Sequence, residues 1–404
     1  MNVIFLTISN LNDIKQGGIY ADLMRRFAQD GHKVYIISPT ERRNKEKSRI
    51  IQTEEATIIK VKIPNIQKAN IIEKGLSTLL IEPLYKKAIN KFLKDIQFNL
   101  IIYSTPPITF NNVISYLKRK NPNAICYLLL KDIFPQNAVD IEMFSKNSLI
   151  YKYFRSKEIH LYKVSDFIGC MSPANIKYVI NHNPYINPEI VEIAPNSIQI
   201  AKLPPIDKFR IRREYNIPKD HVVFVYGGNL GKPQGVDYML RCLDACKDIC
   251  GCHFIIVGNG TEFSKISKWH SKTGITNVTI MPRLSKDKYD ELVRAADVGL
   301  IFLDHRFTIP NYPSRLLSYL QSSLPILACT DPNTDIGSIA QANGYGLWSE
   351  SNNVDTFVSC INKCISMGNK LKEMGEKGHQ FLLKNYNVDV TYQTILNHFD
   401  NSQQ

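Results

Sequence analysis

A glycine-rich turn between two apolar segments is the first place in this sequence where residue types and spacing suggest chemistry. Residues 222–240 read VVFVYGGNLGKPQGVDYML, so an apolar run ends in glycines and an amphipathic run follows. Glycine lets backbone N–H groups approach an anion closely, and a helix N-terminus adds partial positive charge. The segment therefore predicts a phosphate-binding turn that includes Gly228, Asn229 and Gly231, with Lys232 as a full charge. A tight strand–helix turn with a solvated lysine is the structural alternative.

A second glycine turn, in residues 255–263, reads IIVGNGTEF and comes close to the dinucleotide-binding pattern GxGxxG. Its sixth position is Phe263, and no acidic residue follows a strand about 20 positions later to bind a ribose. The first turn matches neither GxGxxG nor the phosphate-binding pattern GxxxxGK(S/T). These departures disfavour a hydride-transfer cofactor, and we predict that the protein uses no cofactor. A structural turn is the simpler interpretation, and Gly258 and Asn259 are kept as candidate binding residues.

A polar loop bounded by prolines leads into a third region with possible binding chemistry. Residues 303–331 read LDHRFTIPNYPSRLLSYLQSSLPILACTD; the loop passes Pro310 and Pro313, and a helix opens at Ser314, which suits an N-cap. Arg315 then places positive charge at a helix start, which the helix dipole disfavours unless an anion binds there. We therefore predict an anion site at Arg315, with a surface arginine as the alternative.

One acidic residue in the first half of the chain is also a candidate. Asp132 follows the run AICYLLLK and precedes IFPQ, so it lies at the end of a predicted strand. Open α/β sheets bind ligands at the carboxyl ends of their strands, and a carboxylate there can act as a base or orient an acceptor. The structural alternative is an aspartate that caps a helix or closes a turn.

These candidates depend on a chain that alternates apolar strands with amphipathic helices. The predicted strands are residues 3–8, 33–39, 56–64, 98–104, 124–130 and 166–172 in the first half, and 221–227, 253–258, 277–282, 298–303 and 325–330 in the second. Continuous apolar strands separated by helices are typical of parallel sheets covered on both faces. Residues 184–209 are rich in Pro and Asn and predict an interdomain linker.

The predicted fold class is therefore α/β, with two doubly wound, Rossmann-like αβα domains that face each other across a cleft. We place the N-terminal domain at residues 1–195 and the C-terminal domain at residues 200–385. The candidate turns of residues 228–235 and 304–315 then belong to the C-terminal domain, and Asp132 belongs to the N-terminal domain.

Composition and charge set limits on the class of protein. The 404 residues are 44% hydrophobic and 22% charged, which excludes a disordered or coiled-coil chain as a whole. The 50 Lys and Arg against 37 Asp and Glu give a net charge of +13, which favours an anionic partner. No apolar run of about 18 residues is present, so no membrane span is predicted. Nine cysteines without a CxxC pair indicate reduced thiols in a cytoplasmic protein.

The order of these segments resembles the family-four retaining glycosyltransferases of the GT-B fold. In the second half the resemblance is carried by GGNLGKPQG, FIIVGNG, NVTIMPRLSKDKYDELVRAADVGLIFL and PSRLLSYLQSSLPILA. In the first half it is carried by Gly17-Gly18 before a helix that ends in GHKV, and by YSTPPITF, LLLKDIFPQ and APNSI. The set is similar to the subgroup that transfers N-acetylated amino-deoxy sugars such as L-fucosamine in bacterial O-antigen and capsule assembly. The family's last helix crosses back to the first domain, and its counterpart here falls within residues 386–404.

This sequence departs from the family pattern at several positions. The family usually carries two glutamates eight residues apart, and here Pro310 and Ser318 occupy those places. Ser318 can still hydrogen-bond a hydroxyl but cannot act as a carboxylate. The family also usually places Arg after the first glycine turn and Lys before its last glycine, where this chain has Asn229 and Gln234. Lys232 is then the only cation of that turn.

The resemblance implies a nucleoside diphosphate sugar donor, UDP-linked, in the C-terminal domain and a lipid-diphosphate-linked saccharide acceptor in the N-terminal domain. Positive groups would offset the negative charge on the leaving diphosphate. The acceptor would attack the anomeric carbon from the same face as the diphosphate leaves, which retains the anomeric configuration. No Asp-x-Asp sequence occurs, which fits metal-independent catalysis, so we expect no metal site. The candidate catalytic residues are Asp132, Lys232 and Arg315, and the candidate donor-binding residues are Gly17, Gly18, Gly228, Asn229, Gly231, Gly258, Asn259, Asn311, Tyr312, Pro313, Ser314 and Ser318.

Two other functions stay open from the sequence alone. A sugar-nucleotide 2-epimerase or hydrolase on the same fold would expose a histidine and several carboxylates, whereas the loops of the C-terminal domain offer Asp304 and His305. A non-catalytic peripheral membrane adaptor is the second alternative. Because no RNP-like aromatic pattern, zinc-finger spacing or helix-turn-helix pairing occurs, we predict no nucleic-acid partner.

A predicted amphipathic helix in residues 80–96, LIEPLYKKAINKFLKDI, suggests a membrane partner. Its apolar residues recur at helical spacing and predict a helix that covers a sheet. The remaining faces carry four lysines, namely Lys86, Lys87, Lys91 and Lys94. Each cation near an anionic leaflet contributes about 1 kcal/mol. We therefore expect the protein to bind an anionic membrane surface peripherally, on the cytoplasmic face of the inner membrane, and to do so in a salt-sensitive way.

Overall fold

The computed structural model of this chain describes residues 1–66 and 71–400. These residues form two compact units. Unit 1 comprises Met1–Gln199 and Asn387–Gln404, and unit 2 comprises Ile200–Tyr386. Residues 401–404, at the end of the predicted segment 386–404, lie outside the described residues. Each unit has its own sheet and its own apolar core.

Unit 1 is built on one sheet. Its strands are β1 (Asn2–Leu6), β2 (Lys33–Glu41), β3 (Arg49–Gln52), β4 (Ala56–Ile63), β5 (Leu100–Ser104), β6 (Ile125–Leu130), β7 (Phe167–Cys170) and β8 (Val191–Ile193). Within the described residues they pair in the order β3-β4-β2-β1-β5-β6-β7-β8. The pairs are parallel except that β3 runs antiparallel to β4 at the edge. Because β1 lies between β2 and β5, the chain winds outward from β1 in both directions, as in doubly wound folds.

Helices cover both faces of this sheet. They are α1 (Ile19–Gln29), α2 (Ile71–Phe92), α3 (Asn111–Lys120), α4 (Gln136–Asp140), α5 (Leu149–Val164) and α6 (Pro173–His182). Side chains alternate between the two faces of a strand. Accordingly, Val3 and Phe5 of β1 pack with buried residues of α1, whereas Ile4 and Leu6 pack with buried residues of α2 and α3. The two faces therefore carry separate apolar cores.

Unit 2 repeats this arrangement. Its strands are β9 (Val222–Asn229), β10 (Cys252–Asn259), β11 (Val278–Met281), β12 (Val298–Phe302), β13 (Ile326–Thr330) and β14 (Gly346–Glu350), and its helices are α7 (Lys208–Glu214), α8 (Val236–Ala245), α9 (Phe263–Thr273), α10 (Lys286–Ala295), α11 (Arg315–Gln321), α12 (Ile336–Ala342), α13 (Val354–Met367) and α14 (Lys370–Asn385). In the described chain the strands pair in the order β11-β10-β9-β12-β13-β14, and every pair is parallel. The prediction of two doubly wound α/β units is confirmed.

The last helix, α15 (Val388–Asp400), belongs to unit 1. It packs against α1: the ring of Tyr392 lies 4.8 Å from that of Phe27, and Asp389 accepts a 2.6 Å hydrogen bond from Arg26 Nε. Ile395 is fully buried in the same core. The chain thus returns to unit 1 after completing unit 2.

The predicted linker at residues 184–209 is wrong in part. Residues 188–190 form a 3₁₀ turn, and β8 follows it directly as a strand of the unit 1 sheet. The Pro and Asn composition has a local cause, because the Asn187 side chain accepts a hydrogen bond from the Glu189 N–H and Pro188 opens the turn. The boundary between the units falls after Gln199.

Helix α2 has the amphipathic character expected from its sequence. The apolar stripe of this segment is buried against the unit 1 sheet and consists of Ile81, Tyr85, Ala88, Ile89 and Leu93. The side chains of Lys86, Lys87, Lys91 and Lys94 are exposed. The sheet-covering role predicted for the stripe is confirmed. Across residues 1–66 and 71–400, no helix is long and apolar enough to cross a bilayer.

Candidate functional site

The two glycine turns of unit 2 lie side by side at the carboxyl ends of neighbouring strands. In the parallel register of β9 and β10, Gly228 is opposite Gly258 and Asn229 is opposite Asn259. A Cβ on Gly258 would lie 1.9 Å from the carbonyl oxygen of Gly228. Glycine at 258 is therefore required by the close approach of the first turn. The structure brings these four predicted residues together.

An amide clamp shapes the turn after β9. The side-chain carbonyl of Gln234 accepts hydrogen bonds from the Gly231 N–H at 3.1 Å and from Asn229 Nδ2 at 2.9 Å. Gln234 is buried, and Gly235 follows with a left-handed φ of 57°. The two amides that stand where the family has charged residues thus bind each other and fix the loop. Lys232 projects from this loop with an exposed side chain.

Arg315 lies against the same turn. Its guanidinium carbon is 4.2 Å from the centroid of the Tyr226 ring, a cation–π distance. Gly228, with φ of 129°, faces the guanidinium: a Cβ there would lie 3.3 Å from Arg315 Nη2. Glycine at 228 therefore leaves the space over the guanidinium open.

Tyrosines, not carboxylates, surround this arginine. Tyr319 accepts a hydrogen bond from the Gly227 N–H at 3.2 Å and donates one to the Leu300 carbonyl at 3.2 Å. Burial acts to lower the pKa of Arg315, but Tyr226, Tyr319 and Tyr289 outweigh it, and the pKa is raised above its usual value. In the part of the chain that the structure describes, Arg315 forms no salt bridge and its buried Nη1 has no hydrogen-bond partner. Arg315 as a whole is half-buried, but a buried N–H group without an acceptor is costly, so the arrangement suits an anionic ligand.

The helix that carries Arg315 begins without the expected cap. Ser314 has helical dihedrals, φ −63° and ψ −16°, and its side chain makes no capping hydrogen bond, so the predicted N-cap role is wrong. An N-cap side chain needs an extended backbone to reach the N–H groups of the first turn. Ser314 is instead exposed, and Ser318 donates a hydrogen bond to the Arg315 carbonyl at 3.0 Å.

The loop before α11 is tied to the glycine turn. The Asp304 N–H donates to the Pro233 carbonyl at 3.0 Å, and a Cβ on Gly235 would lie 3.2 Å from Asp304 Cα. The Asp304 carboxylate accepts from Arg306 Nε at 2.9 Å and from the Arg306 N–H at 3.0 Å. Burial opposes the ionised form of Asp304, but these bonds outweigh it and lower its pKa. Asp304 therefore serves as a loop anchor.

A buried aspartate missed by the sequence reasoning holds the other end of that loop. Asp331 is fully buried and accepts hydrogen bonds from the Thr334 N–H at 3.0 Å and the Thr334 hydroxyl at 2.9 Å. Thr334 in turn accepts from the Asn311 N–H at 3.1 Å. Burial raises the pKa of Asp331 to about 6. The sequence signal was TDPNT, a turn pattern at the end of the predicted strand 325–330.

The predicted donor-binding residues of the loop before α11, Asn311, Tyr312 and Pro313, are not all exposed. Tyr312 is buried, and its hydroxyl shares a hydrogen bond with that of Tyr386. Pro313 is half-buried. The Asn311 side-chain nitrogen is buried and has no partner among the residues described, so it is a second unpaired donor in this region besides Arg315 Nη1.

Asp132 lies in unit 1, directly after β6. The Thr105 hydroxyl accepts from the Asp132 N–H at 3.1 Å and from the Lys131 N–H at 2.9 Å, which fixes the backbone there. Asn137 Nδ2 donates to the Asp132 carboxylate at 2.7 Å. Burial raises the pKa of Asp132 to about 6, although the Asn137 bond acts against it. Because Pro135 is the N-cap of α4, Asp132 does not cap that helix.

Lys131, beside Asp132, is a half-buried titratable group that the sequence reasoning missed. Its ammonium donates to the Ala194 carbonyl at 2.7 Å, and burial lowers its pKa to about 7. In sequence it reads as one lysine at the end of an apolar run, which carries no signal of burial.

Gly17 and Gly18 open α1 in unit 1, with φ of 70° and 131°. The Gly18 N–H donates to the carboxylate of Asp22 at 3.3 Å, and Asp22 also pairs with Arg25. Tyr20 follows on α1; burial raises its pKa, and the nearby Asp132 carboxylate adds to this. Gly17 and Gly18 therefore share unit 1 with Asp132, whereas the other candidate residues belong to unit 2.

Comparisons with known proteins agree on one enzyme class. Residues 207–381 match the family described as "Glycosyl transferases group 1". The chain is 24% identical over 275 residues, 65% of each chain, to "Probable glycosyltransferase WbjE" of Pseudomonas aeruginosa. It is 23% identical over 181 residues, 44% of each chain, to "Putative colanic acid biosynthesis glycosyl transferase WcaI" of Escherichia coli strain K12. The aligned regions thus span just under two thirds and under half of these relatives.

A solved structure shares the fold. The crystal structure of Anabaena Alr3699/HepE in complex with UDP superposes with a TM-score of 0.70 at 15% identity, over 99% of this chain and 100% of that one. At that identity the likeness establishes the fold alone. The α/β architecture of both units is that of the GT-B fold.

Proposed function

We propose that this chain is a retaining glycosyltransferase, and the match of residues 207–381 to the group 1 glycosyl transferases supports this proposal. Its substrates are a nucleoside diphosphate sugar as donor and a lipid-linked or saccharide acceptor. The sugar enters a bacterial surface polysaccharide. The proposed reaction needs the nucleoside diphosphate sugar as substrate and uses no cofactor.

The buried Nη1 of Arg315, which has no hydrogen-bond partner among the described residues, is the observation that carries the proposal. The Arg315 guanidinium lies beside the open backbone of Gly228, and Lys232 projects from the same turn. A diphosphate leaving group gains negative charge as the bond from the sugar carbon to its oxygen breaks. A preorganised cation stabilises that charge most in the transition state. Arg315 and Lys232 therefore act on the leaving group.

Retention follows if the acceptor oxygen attacks from the face that the diphosphate leaves. An oxygen of the departing phosphate then takes the acceptor proton, so no side-chain base is strictly required. Asp132 orients the acceptor hydroxyl or assists in removing its proton. A carboxyl with a pKa of about 6 is mostly ionised at neutral pH and is a better base than an ordinary aspartate.

The identity of the donor is proposed from the relatives. The HepE structure holds UDP, and the WcaI protein is named for colanic acid biosynthesis. These support a UDP-linked sugar and a role in surface polysaccharide assembly. The proposed sugar is an N-acetylated amino-deoxy sugar of the L-fucosamine type, because the sequence motifs are similar to that subgroup.

A lipid-diphosphate acceptor would place the enzyme at a membrane. The exposed lysines of residues 86–94 support electrostatic attachment to the cytoplasmic leaflet. Replacing Lys86, Lys87, Lys91 and Lys94 by Gln should weaken binding to anionic vesicles and leave donor hydrolysis unchanged. Equal binding of the native protein to neutral vesicles would contradict this electrostatic attachment.

The test of the proposed function is donor turnover followed by product stereochemistry. Sugar nucleotides with different bases are incubated without acceptor, and release of the diphosphate is measured. Slow hydrolysis of one donor, accelerated by an added saccharide acceptor, is the expected result. The anomeric proton of the product should show the donor's configuration by NMR. Inversion would refute retention, and turnover of no donor would favour a non-catalytic adaptor.

A further inference from the structure

Unit 1 exposes large apolar side chains on α2, on α5 and in the loop before α5. Leu149 is 82% exposed, Met143 is 61% exposed and Ile150 is 54% exposed. Single exposed apolar residues are normal on protein surfaces, but a cluster marks an interaction site. These three side chains belong to a larger exposed set, which we call the apolar rim and which consists of Leu79, Leu80, Met143, Leu149, Ile150 and Tyr153.

The two helices that carry the apolar rim are neighbours. α2 and α5 both pack against the 3₁₀ turn Ile108–Phe110. Tyr153 of α5 also lies near Glu82 of α2: burial raises the pKa of Tyr153, and the Glu82 carboxylate adds to this. The exposed side chains of the middle of α2 and of the first turns of α5 therefore belong to one surface of unit 1.

This surface lies at the edge of unit 1 where ligands of α/β sheets bind. α2 follows the carboxyl end of β4, and α5 follows β6 and the loop that contains Asp132. Leu149 and Ile150 are the first two residues of α5, so they lie at its N-terminal end. Helices in doubly wound sheets begin near the carboxyl ends of the strands. Leu149 and Ile150 of the rim are thus near the edge of the sheet at which Asp132 lies.

Local structure holds the rim side chains outward. Ser148 caps α5: its hydroxyl oxygen accepts from the Tyr151 N–H at 3.1 Å, and the hydroxyl donates to the Ser145 carbonyl at 2.6 Å. Beneath the rim, the ring of Phe134 lies 4.9 Å from that of Phe154 and 6.1 Å from that of Phe144. The apolar side chains therefore project from an ordered, packed base.

Lysines border the rim, and exposed Glu142, next to Met143, is an acidic neighbour. Lys146 and Lys152 are exposed on either side of Leu149 and Ile150. Lys157 lies 5.6 Å from the centroid of the Tyr153 ring, and the exposed lysines of α2 continue the same helix face beyond Leu79 and Leu80. Apolar side chains bordered by lysines match the boundary between the acyl chains and the head groups of an anionic bilayer.

We infer that the apolar rim inserts into the interfacial layer of an anionic membrane, with Leu149 and Ile150 as its deepest residues. The inference rests on the proposed lipid-linked acceptor, and it names the surface that would bring unit 1 to that substrate. Insertion of this kind reaches about 5–10 Å into the boundary between head groups and acyl chains. Membrane binding then has two contributions. The lysines of α2 contribute electrostatic attraction, which salt screens, and the rim contributes apolar burial, which salt does not screen.

The first experiment measures insertion directly. A Leu149→Trp variant is mixed with vesicles of phosphatidylethanolamine and phosphatidylglycerol that carry bromine on the acyl chains. The added emission should shift to the blue and be quenched by the bromine. The chain has two native Trp residues, Trp269 and Trp348, both in unit 2, and the native protein supplies their background signal. Emission of the introduced indole that is unshifted and unquenched in bound protein would overturn the inference.

The second experiment measures partitioning. A Leu149→Ser, Ile150→Ser double variant should bind the same vesicles about tenfold more weakly, because two large apolar side chains no longer enter the interface. In about 0.5 M salt, where charge is screened, the native protein should keep part of its binding and the double variant should lose it. Phe209→Ser, which removes a side chain 53% exposed in unit 2, is the matched control and should bind like the native protein.

The outcomes separate this inference from the proposed function. Unchanged partitioning of the double variant overturns insertion. Loss of donor hydrolysis in that variant would show that the rim also affects the active site, which contradicts a role in membrane contact alone. A concentration-dependent dimer of the native protein that dissociates in the double variant would assign the rim to a second copy of the chain and overturn the inference. If no donor is hydrolysed by any form of the protein, the proposed function fails while vesicle insertion stands or falls by itself.

Discussion

Replacing Arg315 by Met tests whether its guanidinium stabilises the negative charge on the leaving diphosphate. The side chain of Met keeps an apolar stem over the Tyr226 ring and removes the charge. In the described structure Arg315 Nη1 is buried without a partner, so a phosphate oxygen would form a charge-assisted hydrogen bond that water does not supply. We expect turnover of the donor to fall while its binding changes little.

The magnitude follows from the kind of interaction that is lost. A preorganised cation that stabilises developing charge contributes on the order of 2–4 kcal/mol to the transition state. Since about 1.36 kcal/mol is a factor of ten in rate, kcat should fall about 30- to 900-fold. Because the buried Nη1 of Arg315 lacks an acceptor in the described structure, its desolvation is not repaid in the free protein, so Arg315→Met should also leave the melting temperature unchanged or raise it.

The assay compares kcat, KM and melting temperature in three proteins. Arg241→Met is the matched control, because Arg241 also lies over a tyrosine of unit 2, 5.9 Å from the Tyr238 ring, and donates to Asn352 on the surface. It should retain full kcat. An Arg315→Met protein with unchanged kcat and raised KM would assign Arg315 to ground-state binding. A lower melting temperature together with unchanged kcat would make Arg315 a structural residue with no role at the leaving group.

Three further substitutions follow from the two sites. Lys232→Ala should lower kcat more than it weakens donor binding, by on the order of 2–4 kcal/mol, as measured by steady-state kinetics and donor titration. Asp132→Asn should abolish transfer and retain donor binding; because burial raises the pKa of Asp132 to about 6, transfer by the native enzyme should decline as the pH falls through about 6, and donor binding should not follow that profile. Full transfer by this variant would return Asp132 to a structural role. Gly258→Ala should lower the melting temperature and donor affinity together, since its Cβ would lie 1.9 Å from the Gly228 carbonyl oxygen; unchanged values of both would show that the turn can relax.

The fold was largely predictable because the buried strands are continuous apolar runs. The strands that were missed are short or lie at sheet edges. β3 contains Arg49 and Gln52 and runs antiparallel at one edge, and β8 has three residues within a segment rich in Pro and Asn. β14 is the edge strand of the unit 2 sheet. Edge strands are less buried than central strands, so a pattern of apolar residues is a poor predictor of their positions.

The candidate site was predictable where local sequence rules apply. Arg315 was found because its charge opposes the helix dipole, and Gly228 because glycine follows a predicted strand. Its tyrosine surroundings were not predictable, because Tyr226, Tyr289 and Tyr319 are separated by many residues and meet only through tertiary packing. The expected cap at Ser314 failed because residue type suits a cap, but backbone dihedrals decide it.

The role of Gln234 shows the same limit. From the sequence, Asn229 and Gln234 were departures from a charged pattern, and nothing in their types indicates that they bind each other. The structure shows a hydrogen bond of 2.9 Å that Asn229 Nδ2 donates to the side-chain oxygen Oε1 of Gln234. A side-chain pair five positions apart in a non-helical loop has no periodicity by which it can be recognised.

In the proposed function unit 2 binds the nucleoside diphosphate of a sugar donor, and a thermal-shift panel measures this binding. UDP, GDP, dTDP, ADP and CMP are compared with the ligand-free protein. A ligand at about 100 times its dissociation constant stabilises the folded state by about 2.7 kcal/mol. We predict that one nucleoside diphosphate, UDP, raises the melting temperature clearly above the others. No shift with any nucleoside diphosphate, or a shift with CMP alone, would contradict the account.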